Sequence, residues 1–181
     1  MSNTFITSDT HWGHAGIVRF LNGDGSKLRP WATTEEMDEA MIEKWNVLVR
    51  PNDTVYHLGD VVINRRALPT LGRLNGEMIL VKGNHDVFRL EEYTPYFKDI
   101  RGVGVLDNFV LSHIPIHPAS LEHWKGNFHG HLHSNRVLQA GSHWGVKETI
   151  DQRYLCLSVE HTNFQPISLE DAKKRFEAQQ L

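Results

Sequence analysis

Short apolar runs in this chain end abruptly in Asp, Asn and His, and that placement constrains the fold more than any other feature. Thr4–Ser8 runs into Asp9-Thr10-His11. Thr54–Leu58 runs into Gly59-Asp60, and Met78–Val81 runs into Gly83-Asn84-His85-Asp86. Phe109–Ser112 ends at His113, and Gly130-His131-Leu132-His133 closes the series. Runs of this length read as buried strands. Polar groups at their ends collect at one rim of a sheet, where ligands of open α/β sheets bind.

Helical patterns lie between the runs. Thr33 and Glu36 form a capping-box signature, followed by Met37, Ala40, Met41, Trp45 and Leu48 on one face. This stripe reads as core, and Pro51 ends it. Asn64 caps a second predicted helix that buries Ala67, Leu68, Leu71 and Leu74. Asp107-Asn108 joins Val103–Leu106 and Phe109–Ser112 as a hairpin. Tyr154–Val159 reads as a strand. Ser168 and Asp171 begin a last helix that buries Leu169, Ala172 and Phe176. The alternation predicts a layered α/β or α+β domain, with residues 1–181 forming one unit.

Composition narrows the chemistry. Twelve histidines without a tag run call for a reason. One cysteine, Cys156, excludes a disulfide framework and a thiolate zinc site. A formal net charge of −3 gives no global basic footprint for nucleic acid. The sequence shows no secretory apolar region near Met1 and no membrane-length apolar run, so a cytoplasmic protein without membrane contact is expected.

Asp9 and His11 are two residues apart, as are His131 and His133, so each pair projects from one side of an extended stretch. With Asp60, Asn84 and His113 they make three oxygen donors and four imidazoles. That mixed set suits Mn, Fe, Zn, Co or Ni. It exceeds one tetrahedral ion and matches two ions about 3.5–4 Å apart sharing a carboxylate. Glycines before Asp60, Asn84 and His131 permit close backbone approach.

The blocks D-x-H, GD, GNH[DE], H and GHxH, in that order, resemble the calcineurin-like metallophosphoesterase superfamily. The longer stretches Ser8–His14, Glu35-Glu36-Met37, Trp45-Asn46 and Asp53–Asp60 resemble a small single-domain bacterial and phage subgroup. The resemblance implies a two-sheet β-sandwich flanked by helices, with a dinuclear site at strand ends. It implies that Asp9, His11 and His133 hold one divalent ion and that Asn84, His113 and His131 hold the other. Asp60 would bridge them, and His85 would stand beside the substrate. No ligand position of the pattern is missing.

The implied activity is hydrolysis of phosphate esters, diesters ahead of monoesters, by water activated between two ions, manganese first among them. His85 would protonate the leaving oxygen, oriented by Asp86 or Asp60. Asp86 has an alternative reading as a turn cap. Nucleotides or nucleic acid are possible substrates. The alternatives are a metal-dependent interaction scaffold without turnover and a structural metal protein. The intact donor set opposes the first, and the surplus of ligands opposes the second.

Other polar residues read less sharply. His14, Arg19 and His117 are candidate substrate contacts, each set against an ordinary surface role. Arg29 and Arg65 are phosphate-clamp candidates better read as solvated or ion-paired. Trp12, Trp31 and Trp144 read as core before base-stacking. His57 reads as a satisfied core imidazole, and His129 as a neighbour of the ligands. His123, His143 and His161 carry no assignment.

Overall fold

The computed structural model describes residues 2–139 and 148–180; Trp144 and His143 lie outside the described residues. Four parallel strands form the spine of the first sheet: β1 (Thr4–Thr7), β2 (Thr54–His57), β3 (Glu77–Val81) and β4 (Phe97–Arg101). The second sheet contains β5 (Gly104–Leu106), β6 (Phe109–Ser112), β7 (Gly126–His129) and β10 (Tyr154–Cys156). In it β6, β7 and β10 are parallel, and β5 is an antiparallel edge. A short ribbon pairs β8 (Leu138–Gln139) with β9 (Thr149–Ile150). β11 (Ile167–Ser168) completes the first sheet, giving the orders β11-β1-β2-β3-β4 and β10-β7-β6-β5. The expected two-sheet architecture with flanking helices is what the chain adopts.

Period-two alternation divides the apolar residues between two cores. Phe5, Val55, Met78 and Leu80 face one side of the first sheet, with Met37, Met41, Trp45 and Leu71. Ile6, Leu58 and Val81 face the other side, where Phe109, Leu111, Phe128 and Leu155 of the second sheet meet them. Strands buried on both faces need such continuous apolar runs.

α1 (Thr34–Leu48) starts at the predicted capping box, with Glu36 N–H donating to Thr33 Oγ1 at 3.2 Å. Its buried stripe is Met37, Met41, Ile42 and Trp45; Leu48, expected in the core, is exposed at the helix end. The predicted second helix is present as a 3-10 segment, Arg65–Arg73, capped by Asn64. Pro69 inside it lacks the N–H that an α-helix requires. α2 (Leu90–Tyr93) is a single turn, and α3 (Leu169–Ala178) buries Ala172 and Phe176 as expected. The hairpin turn holds Asp107 and Asn108 at φ of 48° and 67°, the primed geometry that suits the strand twist.

Candidate metal centre

The C-terminal ends of β1, β2, β3, β6 and β7 deliver the predicted residues to one rim. The loops after β1 and β2 run side by side, Asp9 N–H donating to Gly59 O at 3.0 Å and His11 N–H to Asp60 O at 3.1 Å. Five residues of the series sit in the left-handed region: Asp9, His11, Asp60, His131 and His133, with φ from 51° to 69°. Each such position costs of order 1–3 kcal/mol, and clusters of them mark functional sites. Gly59 has φ +94°, and a Cβ there would strike the backbone of Gly83. A Cβ on Gly130 would strike Ser8 and Asp9, so His131 reaches the centre only because glycine precedes it.

Two groups of ligand-capable atoms result. Asp9, His11 and His133 bring atoms within 4.8 Å of one another, and so do Asp60, His113 and His131. Asn84 joins the second group, its Oδ1 2.9 Å from His113 Nε2. Asp60 links the groups: its Oδ2 is 3.3 Å from His113 Nε2 and 3.7 Å from His11 Nε2.

The donors fit cations. His113 Nδ1–H donates to Leu58 O at 2.8 Å, which turns the Nε2 lone pair toward the Asp60 carboxylate. A neutral ring there opposes lone pair to anion, and a cation between them relieves it. His133 Nδ1–H likewise donates to Glu160 Oε1 at 3.2 Å, freeing Nε2 for the first group. His11 is buried with neither ring nitrogen hydrogen-bonded. Buried polar atoms are almost always partnered, so the two idle nitrogens leave His11 available to hold an ion.

Electrostatics follow from the crowding. Burial raises the Asp9 carboxyl, against the pull of His113 and His133. Burial would raise Asp60 too, but hydrogen bonding and charge from His113, then the His85 N–H, hold it down at about 2. Burial, then the Arg29 charge, pushes His11 well below the ordinary imidazole value. For His113 burial acts downward, but the Asp60 hydrogen bond and the Asp9 charge raise it.

His85 lies beside the groups, its side chain half exposed and its Nε2 4.0 Å from Asp60 Oδ2. Asp86 stands differently from the expectation that it orients His85. Its buried carboxylate accepts from the backbone N–H groups of Asp60, Val61 and Gly83 at 2.8–2.9 Å. It locks the β2 and β3 loops together, which is the turn-cap reading extended to two loops.

His14 is close to the centre, its ring 5.7 Å from that of His11. Arg19 is exposed at the end of the 3-10 turn Ile17–Arg19. His117 is exposed and uses Nδ1 to accept from Ala119 N–H, capping the turn Pro118–Leu121. Arg65 pairs with Glu92 at 2.8 Å. Trp12 is fully buried in the core, and Trp31 is partly buried against Phe164 at its edge. His57 is buried between Gly59 N–H and Thr10 Oγ1, the satisfied imidazole expected.

The support behind the centre lies outside the motifs, and Arg29 takes its ion-paired reading there. Arg29 is fully buried, which removes it from any phosphate clamp. Its guanidinium meets Glu160 at 2.8 Å and donates to the carbonyls of Thr10 and Asp9. Ser158 Oγ donates to Asp9 Oδ2 at 2.8 Å. The signal was the strand-end rule itself: Ser158 and Glu160 follow the apolar run that begins at Tyr154.

Comparison with known proteins agrees with this architecture. The family described as calcineurin-like phosphoesterase matches over residues 3–172. The protein MJ1445 of Methanocaldococcus jannaschii is 33% identical over 178 residues, covering 94% of this chain and 89% of that protein. The Gene 66 protein of Mycobacterium phage L5 is 33% identical over 91 residues, 48% of this chain and 41% of the phage protein. The crystal structure of AQ665 from Aquifex aeolicus superposes with a TM-score of 0.71 at 24% identity, covering 96% of this chain and 99% of that one. That last likeness is one of fold. Among the described residues no helix is long and apolar enough to cross a membrane. A family match over nearly the whole length settles membership: the chain belongs to the calcineurin-like phosphoesterase family of metal-dependent phosphoesterases.

Proposed function

We propose that the protein is a dinuclear-metal hydrolase that prefers phosphodiesters to phosphomonoesters, with its whole site in one domain. Asp9, His11 and His133 hold one ion, Asn84, His113 and His131 the other, and Asp60 serves both. The observation that carries this reading is the placement of Asp60 Oδ2 between His113 Nε2 and His11 Nε2. Ions bound there would supply Lewis acidity toward phosphate oxygens and lower the pKa of water. Manganese is the first candidate for this mixed nitrogen and oxygen set, ahead of Fe, Zn, Ni and Co.

The chain's own groups do the rest. His85 as imidazolium, half exposed and near Asp60, gives its Nε2 proton to the leaving oxygen as water attacks phosphorus from the opposite side, and the proton shed by that water restores the ring. Asp60 orients His85 through its backbone as well, accepting from His85 N–H at 2.8 Å. The diester preference draws support from exposed apolar groups on both flanks. Phe20 lies beyond His14 on one flank, and Ile114 follows His113 on the other, one for each ester arm.

The test is hydrolysis of bis(p-nitrophenyl) phosphate against p-nitrophenyl phosphate with each metal in turn. The expected result is two ions bound per chain and faster turnover of the diester, highest with manganese. Two bound ions without turnover of either ester would favour the scaffold.

A further inference from the structure

A cleft opens beside the second group of donors. It has a volume of about 350 Å³ and shares Asn84 and His113 with the centre. Its walls come from two separate connections. Val103 stands at the β4–β5 turn, Ile114 and Ile116 lie in the loop after β6, and Lys82 also lines the cleft. Val103 is 55% exposed and Ile114 51% exposed, so two aliphatic side chains face solvent next to a polar site.

The Ile114–Ile116 wall is built, not loose. Ser112 Oγ donates to Ile114 O at 2.8 Å, and Ile116 N–H donates to Asn127 Oδ1 at 3.1 Å. Tyr154 Oη donates to Ile116 O at 2.7 Å. Asn127 is fully buried, and its amide also donates to Val110 O and Phe128 O, so the anchor is fixed in the second sheet. Rigid apolar walls held beside a polar centre are the ordinary make-up of an organic-ligand site, and this volume lies at the small end of such sites.

We propose that this cleft takes the organic arm of the ester, and that it selects arms carrying an apolar ring of up to nucleoside size. The inference rests on the metal-centre reading above, since the phosphate must sit at Asn84 and His113 for its arm to lie between Val103 and Ile114. Lys82 in the lining suits an arm that carries a further anionic group.

The experiment compares calorimetric binding of phenylphosphonate and methylphosphonate, whose carbon–phosphorus bonds resist hydrolysis, to the manganese-loaded full chain. The expected result is about tenfold tighter binding of phenylphosphonate, equivalent to about 1.4 kcal/mol. Ile114→Asn and Val103→Asn, neutral changes at exposed positions, should each remove most of that preference. Equal binding of the two phosphonates by the unaltered protein would overturn the proposal while leaving the metal centre standing. A preference that survives both substitutions would overturn it as well. Methylphosphonate that fails to bind in the presence of manganese would instead remove the metal-centre reading, and the cleft proposal with it.

Discussion

Glu160 shows how a residue outside every motif governs one inside. Its side chain is buried, and its Oε1 faces both His133 Nδ1 and the Arg29 guanidinium. The carboxylate thereby fixes the His133 tautomer that leaves Nε2 free, and it neutralises a buried arginine. Glu160→Gln removes the charge from both contacts. Calorimetric titration should show one of the two ions bound about 10–100-fold more weakly. Denaturant unfolding should show a loss of about 3–5 kcal/mol, because Arg29 stays buried without its counter-charge. Equal weakening of both ions would detach Glu160 from the group containing His133. His85 makes the opposite case, a motif residue outside both donor groups. His85→Ala should lower turnover by about 10²–10⁴-fold with both ions still bound. If an ion is lost with the imidazole, His85 is a ligand and not an acid.

At the scale of elements, legibility tracked local pattern. β1, β2, β3 and β6 were readable because each is an apolar run bounded by turn residues. β4 was not: Phe97–Arg101 is FKDIR, charged as befits an edge strand, and the charges hide the periodicity. β7 was missed for another reason. It lies inside the second sheet as GNFH, where Gly126 is required because a Cβ would strike the Phe176 ring. Asn127 beside it is fully buried and hydrogen-bonded to other segments. Both residues answer to tertiary neighbours that no local window contains. The candidate donors lie in compact local blocks, whereas the Arg29–Glu160 pair joins residues 131 apart, a partnership that the strand-end position of Glu160 does not announce by itself. The strand-to-loop junction after β2 is where element geometry meets the site. Gly59→Ala would force a side chain into φ +94° and against the Gly83 backbone. The loops after β2 and β3 should separate, lowering stability by at least about 1–3 kcal/mol. Both ions should weaken together, since Asp60 moves. Retention of both at full affinity in a metal titration would show that this crowding does not aim Asp60.

Over the whole molecule, the parallel strands of both sheets point their C-terminal ends to one rim, and the Ser8–Ser158 bridge joins the sheets there. Polar groups are thus forced into the interior where the two cores converge, and the fold's response to acid follows from that. His57 is the cleanest reporter, since it belongs to the core and not to either donor group. Gly59 N–H donates to its Nδ1 at 3.2 Å, so the ring proton sits on Nε2 and is shared with Thr10 Oγ1 at 2.9 Å. Protonating Nδ1 would break the first bond and place a charge in the core. Burial accordingly pushes the His57 pKa down to about 3. The unfolded chain takes up this proton near pH 6.5, whereas the native chain does so only near pH 3. Between those values the unfolded state binds more protons, so stability falls as pH falls, by about 1.4 kcal/mol per pH unit for this group. His57→Gln lacks the titrating ring. Urea unfolding at pH 6, 5 and 4 should therefore show the native sequence losing stability faster than the variant by about that slope. A difference between the two that stays constant with pH would mean that His57 is not held neutral by the core.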